Sequence, residues 1–265
     1  MNASQIETHF QRIGAHAEIQ IDSGQRRIRP LAIDVLQRGK QEVFQIMLNS
    51  NADIDLKVID TQPKLRHLLL MSEQADGKHK FLCGHDERHW FVAGVPEQSS
   101  VSNVRTAFEA LKPQSVQGAL RQFNVRRKNR NKRKNEAYLR QGEWFFVKQF
   151  RAHVNDRFIL RNEPISRGGG KPHICQELVR QGGELVYVCP QYRNGLVESR
   201  FKVLLNRKPR LAKLSWVAMR RNPTVYVRGT VRHADHKTIH LDGWHQVVMN
   251  TENQSKAMQH VAFID

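Results

Sequence analysis

Five of the chain's thirteen histidines, His233, His236, His240, His245 and His260, fall between residues 231 and 260. A neutral imidazole is a good ligand for zinc and neighbouring divalent metals, and three that converge can hold one. His233 and His236, with His245 opposite on a hairpin, form the candidate metal set. Cys175 and Cys189, in the segments GKPHICQ and VYVCP, are further thiolate candidates. The competing expectation is structural: histidines in a basic protein face phosphate or solvent, or satisfy backbone carbonyls in a hairpin.

Within the same stretch, Asp235-His236 is followed by Asn250 and then by His260. That order and spacing resemble the HNH-type nucleases over about 26 residues. The resemblance implies that His236 activates water and Asn250 orients its loop. Asp235 and His260 would hold a divalent metal that stabilises the leaving phosphate oxygen. The proline usual after the first histidine, the glycine-rich loop and the flanking zinc cysteines are missing. Residues 237–249 also read as two strands where a loop is expected.

Two further constellations invite chemistry. Cys83-Gly84-His85-Asp86-Glu87-Arg88-His89 places a thiol, two imidazoles and two acids in one turn, the makings of a thiol–imidazole nucleophile or of structural ion pairs. SRGGGKP (166–172) exposes backbone amides, but Lys171 is followed by Pro172 and the GxxxxGK spacing is absent. It reads as a flexible loop that brings Arg167 and Lys171 towards a polyanion.

Charge bounds the partner. Residues 1–98 carry 12 Lys+Arg against 13 Asp+Glu, whereas residues 99–265 carry 31 against 12. Seven of the nine residues from 126 to 134 are basic: Arg126, Arg127, Lys128, Arg130, Lys132, Arg133 and Lys134. A second basic region includes Arg193, Arg200, Lys202, Arg207, Lys208, Arg210, Lys213, Arg220, Arg221, Arg228 and Arg232, opposed by Glu198 alone. Alternation predicts that these cations decorate the outer face of a sheet, with Phe201, Val203, Leu205, Trp216 and Tyr226 as core or stacking residues. Such a surface releases counterions from phosphate and binds with steep salt dependence.

The elements that must position these groups follow from periodicity. Ile6, Phe10 and Ile13 predict a helix stopped by Gly14. Strands follow in series to about residue 95, with a hairpin turn at Arg38-Gly39-Lys40. Two short helices occupy 99–123, with Pro113 between them. Strands return after Gly142, with EWFFVKQ, SRFKVLL and TVYVRGTV among them. ICQELVRQ is expected as a short helix, and Thr251 as the cap of a last helical turn. The fold class is α+β and β-rich. Its expected parts are a near-neutral antiparallel meander or small barrel (1–98), a helical and Lys/Arg-rich connector (99–140), and a basic β-rich module that binds nucleic acid (141–265).

The primary expectation is a nucleic-acid-binding protein, RNA ahead of DNA, whose residues 1–98 dock a protein partner or a second copy. The rivals are a metal-dependent nuclease centred on the C-terminal histidines and an accessory assembly protein of a ribonucleoprotein. A divalent metal or zinc is required only by the histidine readings. No apolar run approaches the roughly 20 residues needed to span a bilayer, and the first residues lack the basic and apolar regions of a signal peptide. Three cysteines without paired spacing suit a reducing compartment, so an intracellular, cytoplasmic protein without a membrane partner is expected.

Overall fold

The computed structural model describes residues 3–22, 29–97, 100–149, 154–167 and 170–260; the side chains of Asp22 and His260, and Gly168 and Gly169 of the glycine-rich loop, lie outside the described residues. Helix α1 (Ala3–Arg12) buries Ile6 and Phe10 and is ended by Gly14 at φ 82°, a left-handed conformation that favours glycine. Strands β1 (His16–Asp22), β2 (Leu31–Arg38) and β3 (Gln41–Asn49) form one sheet in the order β1-β3-β2. β2 and β3 make the expected hairpin around Gly39, but β1 lies on the far side of β3 and runs parallel to it.

Strands β4 (Asp55–Gln62), β5 (His67–Gln74), β6 (Gly77–Asp86) and β7 (His89–Val95) form a four-stranded antiparallel meander in chain order. The meander expectation therefore holds for this sheet, while the small barrel does not, because none of the sheets closes on itself. The run Leu68-Leu69-Leu70 shows why both faces are occupied. Leu68 and Leu70 pack against α1 and the first sheet, and Leu69 packs against α2 (Val104–Ala110), so all three are fully buried. Asn103 caps α2 in a reciprocal box with Thr106.

α3 (Gln114–Gln122) leads to the Lys/Arg-rich run, which folds over Val125, Ala137 and Tyr138. β8 (Tyr138–Gln141), β9 (Trp144–Lys148), β10 (Leu160–Ile165), β11 (His173–Gln181), β15 (Thr224–Arg232) and β16 (Ile239–Met249) form a six-stranded antiparallel sheet ordered β10-β11-β15-β16-β9-β8. The segment expected as a helix, ICQELVRQ, is therefore strand β11. Cys175, Leu178 and Val179 are all buried there, and a register shift between Cys175 and Glu177 breaks the alternation that would have marked a strand.

Between β11 and β15 the chain leaves the sheet to build a small lobe: β12 (Glu184–Cys189), β13 (Tyr192–Val197), α4 (Glu198–Arg207) and β14 (Val217–Arg221), with strand order β13-β12-β14. SRFKVLL, expected as a strand, lies in α4. Its apolar residues fit either period, and Glu198 pairs with Lys202 one turn on, at 2.8 Å. The chain enters the lobe at Gly182-Gly183 and leaves it at Asn222-Pro223. A Cβ on Gly183 would meet the Arg221 carbonyl oxygen at 2.8 Å, so this crossing point requires glycine.

After β16, residues 252–260 form two 3-10 turns. Thr251 stands at the N-cap position of the first turn, as expected, but its hydroxyl does not cap it and donates instead to the Ala110 carbonyl at 2.8 Å. Ala257 enters the N-terminal core, and the Ser255 hydroxyl donates to the Val95 carbonyl at 2.8 Å. The C-terminal segment thus belongs spatially with the first half of the chain. No helix among the described residues is long and apolar enough to cross a membrane.

Candidate functional site

Antiparallel pairing of β11 with β15 ends with Ile174 opposite Arg232, so His173 and His233 occupy the next positions outward, one at the end of β11 and one just past β15. The loop that follows β15 then folds His236 back onto them. One ring nitrogen from each of His173, His233 and His236 lies within 4.8 Å of those of the other two. The ring centroids of His173 and His233 are 4.2 Å apart, and those of His233 and His236 are 4.6 Å apart.

His173 is 2% exposed, and neither of its ring nitrogens has a hydrogen-bond partner. A neutral imidazole has one N–H to donate and one lone pair to fill. Leaving both unmet in a buried position costs about 1–3 kcal/mol for each. Burial, reinforced by the other two histidines, pushes the His173 pKa down to about 3. Burial likewise pushes His236 down to about 4, with His233 adding to the effect. Both rings are therefore neutral near pH 7, with lone pairs available.

The contacts around the cluster come from distant parts of the chain. Nδ1 of His236 lies 3.6 Å from Glu87 Oε2, at the tip of the β6–β7 hairpin. The same Glu87 oxygen accepts the Lys237 backbone N–H at 2.9 Å, and the other carboxylate oxygen pairs with Arg133. Nε2 of His236 lies beside Gly142, where a Cβ would stand 3.1 Å away. His233 Nδ1 accepts the Asp235 backbone N–H at 3.1 Å, and its Nε2 is 3.1 Å from the Lys171 carbonyl oxygen. The cluster opens into a cavity of about 390 Å³, whose walls include Asp86, Tyr138, Arg140, Lys171 and Asn250.

No protein-family model, curated protein or solved structure matches this chain.

The structure corrects the metal set expected from spacing. His233 and His236 meet, but the third imidazole is His173. His245 lies outside the cluster, buried on β16, with Nδ1 3.0 Å from the Gly243 carbonyl oxygen. Cys175 and Cys189 are buried free thiols outside it, and burial pushes Cys175 up to about 12. Of the nuclease-like set, Asp235, His236 and Asn250 line this same cavity. Asp235 is engaged by Lys171 Nζ at 2.9 and 3.0 Å. The side chain of His260 lies outside the described residues. Residues 239–249 form the single strand β16, not two.

In the Cys83–His89 turn, Cys83 is fully buried and its thiol is held protonated by burial, while His85 packs edge-on against Trp90. Asp86 and Glu87 act as ion-pair partners, both with Arg133, and Asp86 with Arg140 at 3.5 Å.

The basic residues divide by environment. Arg126, Arg127, Lys128, Lys132 and Lys134 are exposed. Arg130 and Arg133 turn inward, Arg130 to Glu109 at 3.4 Å and Arg133 to the acidic hairpin. In the lobe, Arg200, Arg207, Lys208, Arg210, Lys213 and Arg220 are exposed. Lys202 pairs with Glu198, and Arg221 with Glu184 at 2.5 Å. On β15, Arg228 pairs with Glu177 at 2.5 Å and stacks over Trp244, while exposed Arg232 reaches Asn162 at 3.3 Å. The region is thus a helix, a 3-10 turn and parts of two sheets, not one charged sheet face. Phe201 stacks on Tyr187 at 4.1 Å and meets Trp216 edge-on at 4.8 Å, and Trp216 stacks on Tyr192 at 5.4 Å.

Proposed function

We propose that the protein binds nucleic acid, single-stranded RNA ahead of DNA, through the lobe at 184–221 with help from the exposed part of the 126–134 run. One observation carries the reading: the lobe holds nine Lys and Arg against two Glu, with most of the cations exposed around a half-buried aromatic cluster. α4 buries no residue, so the lobe spends little of its surface on its own core. Exposed cations supply the affinity by displacing counterions, and half-buried rings at the surface offer stacking to unpaired bases. The three buried free thiols suit a reducing, cytoplasmic setting.

The test is binding of labelled single-stranded RNA, single-stranded DNA and duplex DNA over a salt series. Replacing Arg200, Arg207, Lys208, Arg210 and Lys213 with Gln should weaken binding and flatten the slope of log affinity against log salt by up to about 3.5, at roughly 0.7 per lost phosphate contact. An unchanged affinity and slope would remove the lobe from the reading. A second reading, metal-assisted phosphodiester cleavage, is favoured by the presence of Asp235, His236 and Asn250 in the lining of one cavity. Cleavage that depends on added divalent metal and is lost in His236→Ala would establish it.

A further inference from the structure

We propose that His173, His233 and His236 form a binding site for one zinc-class divalent cation, with a fourth coordination position open to the cavity. The proposal stands apart from the nucleic-acid reading, because it rests on different residues; it shares His236 with the metal-assisted cleavage reading but does not require cleavage.

Three features of the geometry carry it. The three imidazoles come together from two chain segments, brought side by side by the β11–β15 register. His173 is 2% exposed with both ring nitrogens unpartnered, so it is not a core histidine held by its own hydrogen bonds. The outer contacts are those that orient metal-bound histidines. Glu87 faces Nδ1 of His236 at 3.6 Å, and the Lys171 carbonyl faces Nε2 of His233 at 3.1 Å.

The donor set selects the metal class. Three neutral imidazoles with no thiolate or carboxylate suit zinc, and cobalt or nickel as substitutes, over magnesium or calcium, which demand oxygen. Tetrahedral zinc with nitrogens at about 2.0–2.1 Å needs those nitrogens roughly 3.3 Å apart, so the rings must draw inward on binding. His233 does this by releasing the Asp235 N–H from Nδ1 while Nε2–H stays on the Lys171 carbonyl. Three protein ligands leave a fourth position for water or another small ligand on the cavity side.

The experiment uses the full-length, untagged protein, stripped with chelator and titrated with Zn²⁺ by calorimetry. A parallel titration with Co²⁺ reads the visible spectrum of the bound ion. The expected result is one tight site per chain, a four-coordinate cobalt spectrum and a rise in melting temperature with zinc. His173→Ala and His233→Ala should weaken binding by more than about 100-fold, beyond the loss typical of removing an outer contact. His233 is half-exposed, so His233→Ala tests the site even where the core variant fails to fold. His240→Ala, an exposed histidine outside the cluster, should bind as the parent does. Sub-stoichiometric or weak binding by the parent, or parental affinity in His233→Ala, would overturn the proposal. So would an equal loss in His240→Ala, which would mark chelation by surface histidines at large.

Discussion

Glu87 Oε2 stands 3.6 Å from His236 Nδ1 and accepts the neighbouring Lys237 backbone N–H at 2.9 Å. One carboxylate at the tip of an N-terminal hairpin thus fixes the loop that carries a C-terminal histidine. The other Glu87 oxygen is tied to Arg133 of the basic run, so three distant segments meet at one side chain.

Glu87→Gln keeps the size of the side chain and removes its charge. The metal affinity of the histidine cluster should fall about 10- to 100-fold, as for other outer contacts of metal-bound histidines. Calorimetry with Zn²⁺ checks this, and an unchanged affinity would show that Glu87 only ties down the loop.

Arg133 sits among Asp86, Glu87 and Arg140, half-withdrawn from solvent. Arg133→Gln should destabilise the fold by about 2 kcal/mol, the scale of a charged hydrogen-bonded partner lost to a shielded carboxylate. Lys132→Gln, one residue earlier and exposed, should change stability by less than about 0.5 kcal/mol. Urea unfolding of the two variants separates the structural cation from the surface cation within one basic run.

Gly84 and His67 are coupled across adjacent strands. A Cβ on Gly84 would stand 2.1 Å from His67 Cδ2, and the His67 ring is held between Phe91 and Phe108 at centroid distances of 5.6 and 5.0 Å. Gly84→Ala should cost roughly 1–3 kcal/mol by overpacking. The double variant Gly84→Ala/His67→Ala should be more stable than the sum of the two single losses predicts. Additivity in that cycle would sink the steric account.

Acid should destabilise the protein through its buried imidazoles. Burial holds His67 down to about 4, against an ordinary value near 6.5 in the unfolded chain. Between these values the unfolded state binds the proton and the folded state does not, so stability present above pH 6.5 is lost as pH falls towards 4. His67 alone withdraws up to about 3 kcal/mol over that window. His173 and His236 act in the same direction. Urea midpoints measured from pH 7.5 down to pH 5 should fall, and fall less steeply in His67→Asn; parallel slopes would remove His67 from the account.

Local patterns were legible in the chain itself. The spacing of Ile6, Phe10 and Ile13, the turn at Gly39, the break at Pro113 and the uneven division of charge each depend on neighbours a few residues apart. They carry into α1, the β2–β3 hairpin, the paired short helices and the basic lobe. Where the local signal is shared between periods, it misleads. Phe201-Lys202-Val203-Leu204-Leu205 fits a strand as well as the helix it forms. Cys175, Leu178 and Val179 fit a helix, because a bulge offsets the strand alternation.

What only the tertiary structure decided is which side chains meet. His233 and His236 are visible as a pair in sequence, but their third partner is chosen by the pairing of β11 with β15, and that pairing leaves no local mark. Reading β11 as a helix hid His173, although GKPHICQ lies in plain view. The parallel placement of β1 beside β3, the open edges that replace a barrel, and the return of Ala257 to the N-terminal core are decisions of the same kind. Periodicity encodes which face of an element is apolar. The free energy of burying that face against one partner and not another is a property of the whole chain, and it set the register that gathers these three imidazoles.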